Sequence, residues 1–177
     1  MPAAAPKPKP AEPQPVSLGN VRGVLPGDWT PQSPAGQFRL LQFAVPKAPG
    51  DTAPALLIVF HFGKGGGGTV EDNVKRWMGL MQQPEGTDVT KVAVRSQFTR
   101  EGLRITTLDL PGTYQERPFP ASDQVTPRPN YRMLAGVIET TREEGDGPYF
   151  VRLVGPARSI EAAKGGWDAL IASLKVE

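Results

Sequence analysis

The sequence predicts an α+β fold in which a mainly antiparallel β-sheet is flanked by helices. Three observations point there. Strand-like runs outnumber helical ones, in the order β-β-α-β-β-β-β-α. Short polar turns join neighbouring runs, which suits hairpins. The regular strand–helix alternation that winds a parallel sheet is missing.

At 177 residues the chain suits one domain with a tail. Met1 to Pro15 contains six prolines and four alanines, with Lys7 and Lys9 as its positive charges. Proline fixes φ and brings no N–H to a ladder. Residues 1–16 therefore read as a disordered Pro/Ala-rich tether and 17–177 as the domain. The tether lacks the apolar stretch of a signal peptide, yet it suits a spacer behind an export signal that has been removed.

Val21 to Trp29 opens the domain as a short extended piece broken at Pro26-Gly27. Arg39 to Val45 reads as a strand ending at Pro46, and Lys47 to Pro54 as a loop. Ala55 to Phe62 is apolar on both faces apart from His61, which fits a central strand covered on both sides. Val70, Val74, Trp77, Met78 and Met81 recur at helical spacing and form one apolar stripe. Thr69 is a good N-cap, Asp72 at N3 completes a capping box, and the helix should stop before Pro84. Lys91 to Thr99 alternates, with Val92, Val94, Ser96 and Phe98 on one face, and Arg100-Glu101-Gly102 turns it into Leu103 to Leu110.

Pro111 to Pro129 reads as a long surface loop because of its prolines. Tyr131 to Thr140 and Tyr149 to Val154 form a second hairpin across the charged 141–147 turn. The last helix carries Ile160, Ala163, Trp167, Leu170, Ile171 and Leu174 on one face. Its Gly165-Gly166 pair costs about 1 kcal/mol per glycine relative to alanine, which a close approach to the sheet would explain.

The charge is nearly balanced, 20 basic against 18 acidic side chains, which does not point to nucleic acid or an anionic membrane. No apolar run reaches the roughly 18 residues of a membrane-spanning helix. With no cysteine, disulfides and thiolate metal sites are excluded. His61 is the only histidine, which excludes a His-rich metal site; in so apolar a run it reads as a core or edge residue with one nitrogen satisfied. Trp29, Trp77 and Trp167 read as core.

Gly63 to Gly68, between a strand and a capped helix, has the order of a phosphate-binding loop. Gly63 and Gly68 also have Walker A spacing, but Thr69 stands where the lysine belongs and Lys64 lies at the wrong end. What remains is a helix N-terminus able to attract an anion. Lys64, Gly65, Gly66, Gly67, Gly68 and Thr69 are thus a candidate ligand or partner surface. Asp109, beside Pro111-Gly112, joins them as the one carboxylate placed for acid–base work. Glu143, Glu144 and Asp146 read as solvated turn charge. No G-x-S-x-G elbow is present, nor an EF-hand loop. Strand alternation would gather Arg95, Arg104 or Arg132 on a face better suited to solvent or protein than to RNA, since base-stacking aromatics are few.

Several segments together resemble a group of bacterial proteins related to the PsbP family. They are Leu25-Pro-Gly-Asp-Trp29, Phe60-His-Phe-Gly63 with its glycine run, Asn73-Val-Lys-Arg-Trp77 and Pro111-Gly-Thr-Tyr114. Tyr131 to Val137, Gly147 to Pro156 and Trp167 to Leu174 complete the match, which runs in order over residues 18 to 175. The resemblance implies the PsbP-like αβα sandwich, shared by the PsbP proteins of photosystem II and a Ran-binding nuclear import factor. Those relatives act by binding proteins, and the bacterial members are commonly exported or lipid-anchored. Length and loops depart from plant PsbP, so photosystem binding is not carried over.

The expectation is a monomeric, non-enzymatic protein-binding or assembly module, exported or envelope-associated if a signal precedes it. It would have no cofactor, metal, catalytic residue or nucleic-acid partner. The alternative is a small-ligand or phosphate-binding protein, or an enzyme, using residues 63–69 with Asp109 nearby. A shallow surface there favours the first, and a cleft with converging polar groups the second.

Overall fold

The computed structural model describes residues 11–177; residues 1–10 of the expected tether lie outside the described residues. Gly19, with φ of 56°, turns β1 (Gln14–Leu18) back onto β2 (Val21–Leu25). In β1 Val16 and Leu18 point inward while Pro15 and Ser17 stay exposed. The expected boundary at residue 16 therefore falls inside a strand. Proline is tolerated there because β1 is the edge of a small sheet whose third strand comes from the C-terminus.

The main sheet is built from β3 (Thr30–Gln32), β4 (Arg39–Val45) and β5 (Ala55–Phe60), then β6 (Met81–Gln82) and β7 (Val94–Arg100). The long β8 (Leu103–Glu116) and β9 (Thr126–Thr140) follow, with β10 (Tyr149–Pro156). Its order is β3-β4-β5-β10-β9-β8-β6, with β7 also beside β8, and every pairing is antiparallel. The helices are α1 (Val70–Leu80), the short α2 (Val89–Val92) and α3 (Ala157–Ser173); β11 (Lys175–Val176) then joins β2.

Strand alternation divides the core into two layers. Phe43, Leu57, Ile105, Leu134, Val151 and their neighbours pack against α3 and the small sheet. Leu108, Leu110, Met133, Val137 and Phe150 pack on the opposite face against Val74 and Trp77 of α1. The result is the expected sandwich, with a mainly antiparallel sheet between helical layers. All three tryptophans are core, at 3–4% exposure.

Four local expectations are corrected. The apolar stripe continues past the end of α1, because Met81 is already the C-cap and the start of β6. Lys91 and Val92 are helical because the Asp88 carboxylate accepts the Thr90 N–H at 2.9 Å and starts α2. Pro111 to Pro129 is not one loop: β8 and β9 run through most of it and leave only residues 117–125 between them. Pro127 and Pro129 are accommodated because β9 outruns β10, which pairs only from Tyr131 onward, so this end of β9 has a neighbour on one side only, and Pro129 falls at the irregularity in the β8 pairing. Finally, a Cβ at Gly166 would stand 2.5 Å from Pro26 and 2.8 Å from Trp29, so the close approach is to the segment after β2.

Candidate functional site

The glycine loop closes on itself and on the 141–147 turn. The Gly65 N–H donates to Gly147 O at 2.9 Å, the Gly66 N–H to Gly63 O at 3.0 Å, and Lys64 Nζ to Glu143 O at 2.5 Å. Gly67 packs its backbone on Phe150 and Phe62. Asn73, fully buried in the first turns of α1, donates to Gly67 O at 2.9 Å and Thr69 O at 2.8 Å. The capping box forms as expected: the Asp72 N–H reaches Thr69 Oγ1 at 3.1 Å and the Thr69 N–H reaches Asp72 Oδ2 at 3.3 Å. The hydrogen bond with the Thr69 side chain, then that with its backbone, holds the Asp72 carboxyl below the usual carboxylate range. Chemically this is a stapled turn. Several donors that would cradle a phosphate are turned inward, and Glu71 and Asp72 place negative charge where an anion would arrive.

His61 and the turn are tied together. His61 Nε2 donates to Asp146 O at 2.7 Å, and its ring stacks on Tyr149 with centroids 4.8 Å apart. The Tyr149 hydroxyl donates to the Asp146 carboxylate. Burial first, then Asp146, pushes the Tyr149 phenol well above its ordinary range.

Asp109 is elsewhere. It lies on the α3 face, where Arg132 grips it through Nε–Oδ1 at 2.8 Å and Nη2–Oδ2 at 2.6 Å and reaches Glu161 at 2.9 Å. The ion pair with Asp109 is the main cause that raises the Arg132 pKa. The loop residues lead instead into α1 on the other face. The structure therefore does not bring Asp109 near Lys64, as the ligand-site reading had placed it. Arg95, paired with Glu71, and Arg104, paired with Glu139, lie on the α1 face, whereas Arg132 lies on the α3 face, so the three form no common stripe.

Sheet order brings together two arginines that sequence spacing does not connect. Arg39 of β4 and Arg152 of β10 flank β5 on the α1 face, with their guanidinium carbons 5.9 and 5.4 Å from the Phe60 ring centroid. Arg39 donates to Gln42 Oε1 at 3.0 Å. Among the described residues neither guanidinium has a carboxylate within 4.0 Å. Burial and then the neighbouring Arg152 charge lower the Arg39 pKa.

Two open hollows lie on the α3 side. One, of about 470 Å³, is lined by Ala48, Arg158 and Glu161; the other, of about 430 Å³, by Val94, Phe98, Trp167 and Ile171. Residues 63–69 line neither. Among the described residues no group of three or more His, Asp or Glu side chains is placed to hold a metal ion. No described helix is long and apolar enough to cross a membrane.

No family model and no curated protein matches the chain. Among solved structures it is similar to the solution structure of cyanobacterial PsbP (CyanoP) from Synechocystis sp. PCC 6803. The two are 16% identical with a TM-score of 0.54, and the match covers 98% of each chain. The chain has a PsbP-like fold.

Proposed function

We propose, from the premise of a PsbP-like fold, that this chain is a monomeric, non-enzymatic protein-binding or assembly module, exported or envelope-associated if a signal precedes it. The observation that carries this reading is the stapled glycine loop. Lys64, Gly65 and Gly66 spend their donors on internal partners, and Asp109 is held by Arg132 on the opposite face. A small-ligand site needs converging, unspent polar groups in a cleft, and the loop offers a closed turn instead. The family resemblance of the sequence adds support, since its relatives act on other proteins.

A thermal-shift screen of the purified chain against ATP, inorganic phosphate, divalent metals, sugars and short oligonucleotides tests this. The expected result is a flat response, with a discrete protein captured from native cell extract by the immobilised chain. A rise of several degrees with phosphate or ATP that Lys64→Ala abolishes would overturn the reading in favour of the loop.

A further inference from the structure

We infer that Arg39 and Arg152 are the anchor of a protein-docking surface, and that its occupant is an acidic segment of a partner whose carboxylate the two guanidiniums grip over Phe60. This rests on the protein-binding reading above and names the face and the chemistry of the partner.

Most arginines of this chain are visibly employed. Arg22, Arg95, Arg104, Arg128, Arg132 and Arg142 pair with carboxylates. Arg100, Arg117 and Arg158 cap backbone carbonyls. Among the described residues Arg152 has no side-chain hydrogen bond, and Arg39 has one, to a neutral amide, as Arg76 has to Asn73 on α1; of these three, Arg39 and Arg152 alone sit over one aromatic ring. Both are half-buried and each sits over the same ring. Two like charges held together on a sheet face repel. The groups acting on Arg39 are Arg152 and Tyr114, with no carboxylate among them. The missing counter-charge is therefore left to a partner, and two forked donor sets suit a carboxylate.

The surroundings select a protein segment. Phe60 leads to Phe62, with centroids 6.3 Å apart, and Phe62 to Phe38, at 4.8 Å. Phe38 is 47% exposed and Leu40 38%. An aromatic path of half-buried Phe60 and Phe62 and exposed Phe38, ending in arginines, has the composition of an interface hot spot. The net charge of only +2 offers little to a polyphosphate backbone.

The test uses the full chain, a fluorescein-labelled twelve-residue peptide alternating glutamate and leucine, its glutamine analogue, and inorganic phosphate. Arginine Nε–H signals of the nitrogen-15-labelled chain report the site. Saturable binding of the acidic peptide should shift the Arg39 and Arg152 signals. Arg39→Gln with Arg152→Gln should weaken it by about tenfold or more. Arg22→Gln with Arg142→Gln removes the same charge elsewhere and should change it less than about twofold. Melting curves verify that each variant is folded, and Arg152→Lys supplies a charge-retaining variant should the double one not fold. Peptide binding that the double variant leaves intact would overturn this site while leaving the module reading standing. Equal affinity for the glutamine analogue would overturn the acidic occupant. Phosphate shifting the same two signals with the peptide's affinity would replace it by a small-anion site. Absence of peptide binding would overturn the proposal, whereas failure of the module reading is read from the extract capture.

Discussion

At Gly67 two constraints coincide: φ is 94°, and an added Cβ would stand 2.4 Å from the Phe150 ring. At Gly65 φ is 73° but nothing lies within 4 Å. Gly65→Ala should therefore cost about 1–2 kcal/mol of backbone strain, and Gly67→Ala about 1–3 kcal/mol beyond that for the clash with Phe150. Urea unfolding of both variants measures this, and equal losses would sink the packing argument. Trp77, 4% exposed between α1 and the sheet, was legible from helical spacing alone. Trp77→Ala should destabilise the fold by about 3–5 kcal/mol; an unchanged melting temperature would contradict its place in the core. The role of Gly67 was not legible. A run of glycines signals permissive backbone, whereas its neighbour Phe150 arrives from a distant strand.

Among the elements, α1 was the most readable, because a capping box is written within four residues. Its Asp72 carboxyl is held below the ordinary range by Thr69. A carboxyl whose folded pKa is depressed adds stability above its unfolded pKa and loses it as pH falls through the folded value. Asp72→Asn should thus lower the melting temperature at neutral pH, with the gap to wild type closing as the solution turns acidic. A gap that stays constant with pH would show that the charge is not involved. The β8–β9 hairpin was the least readable. Pro111, Pro127 and Pro129 are loop signals in isolation, and only the end of β10 at Pro156 shows that β9 has an open side there. The arginines of the main sheet follow the same logic: alternation assigned each to a face, but only strand order assigned its neighbours.

For the molecule as a whole, the N-terminal boundary is the testable point. Truncation after residue 10 should leave the melting temperature unchanged, given the composition of that tract. Truncation after residue 16 removes Gln14, Pro15 and the buried Val16 from β1. Burial of a valine is worth about 1.5–3 kcal/mol, and each kcal/mol moves the midpoint of a domain this size by about 2–4 °C. A drop of several degrees is expected, and identical melting curves for both truncations would contradict a structural β1. The alternation of Val16 and Leu18 and the Gly19-Asn20 pair were present in the sequence, but the prolines before them masked the hairpin. By itself the sequence determined the fold class, two hairpins, the buried face of each long helix and the α1 cap, because those signals are local periodicities and short-range hydrogen bonds. Only the tertiary structure decided that the 141–147 turn closes the glycine loop, that Asp109 faces away from it, and that Arg39 and Arg152 share one ring. Each depends on the non-consecutive strand order β4-β5-β10-β9, which long-range burial selects and no local spacing encodes.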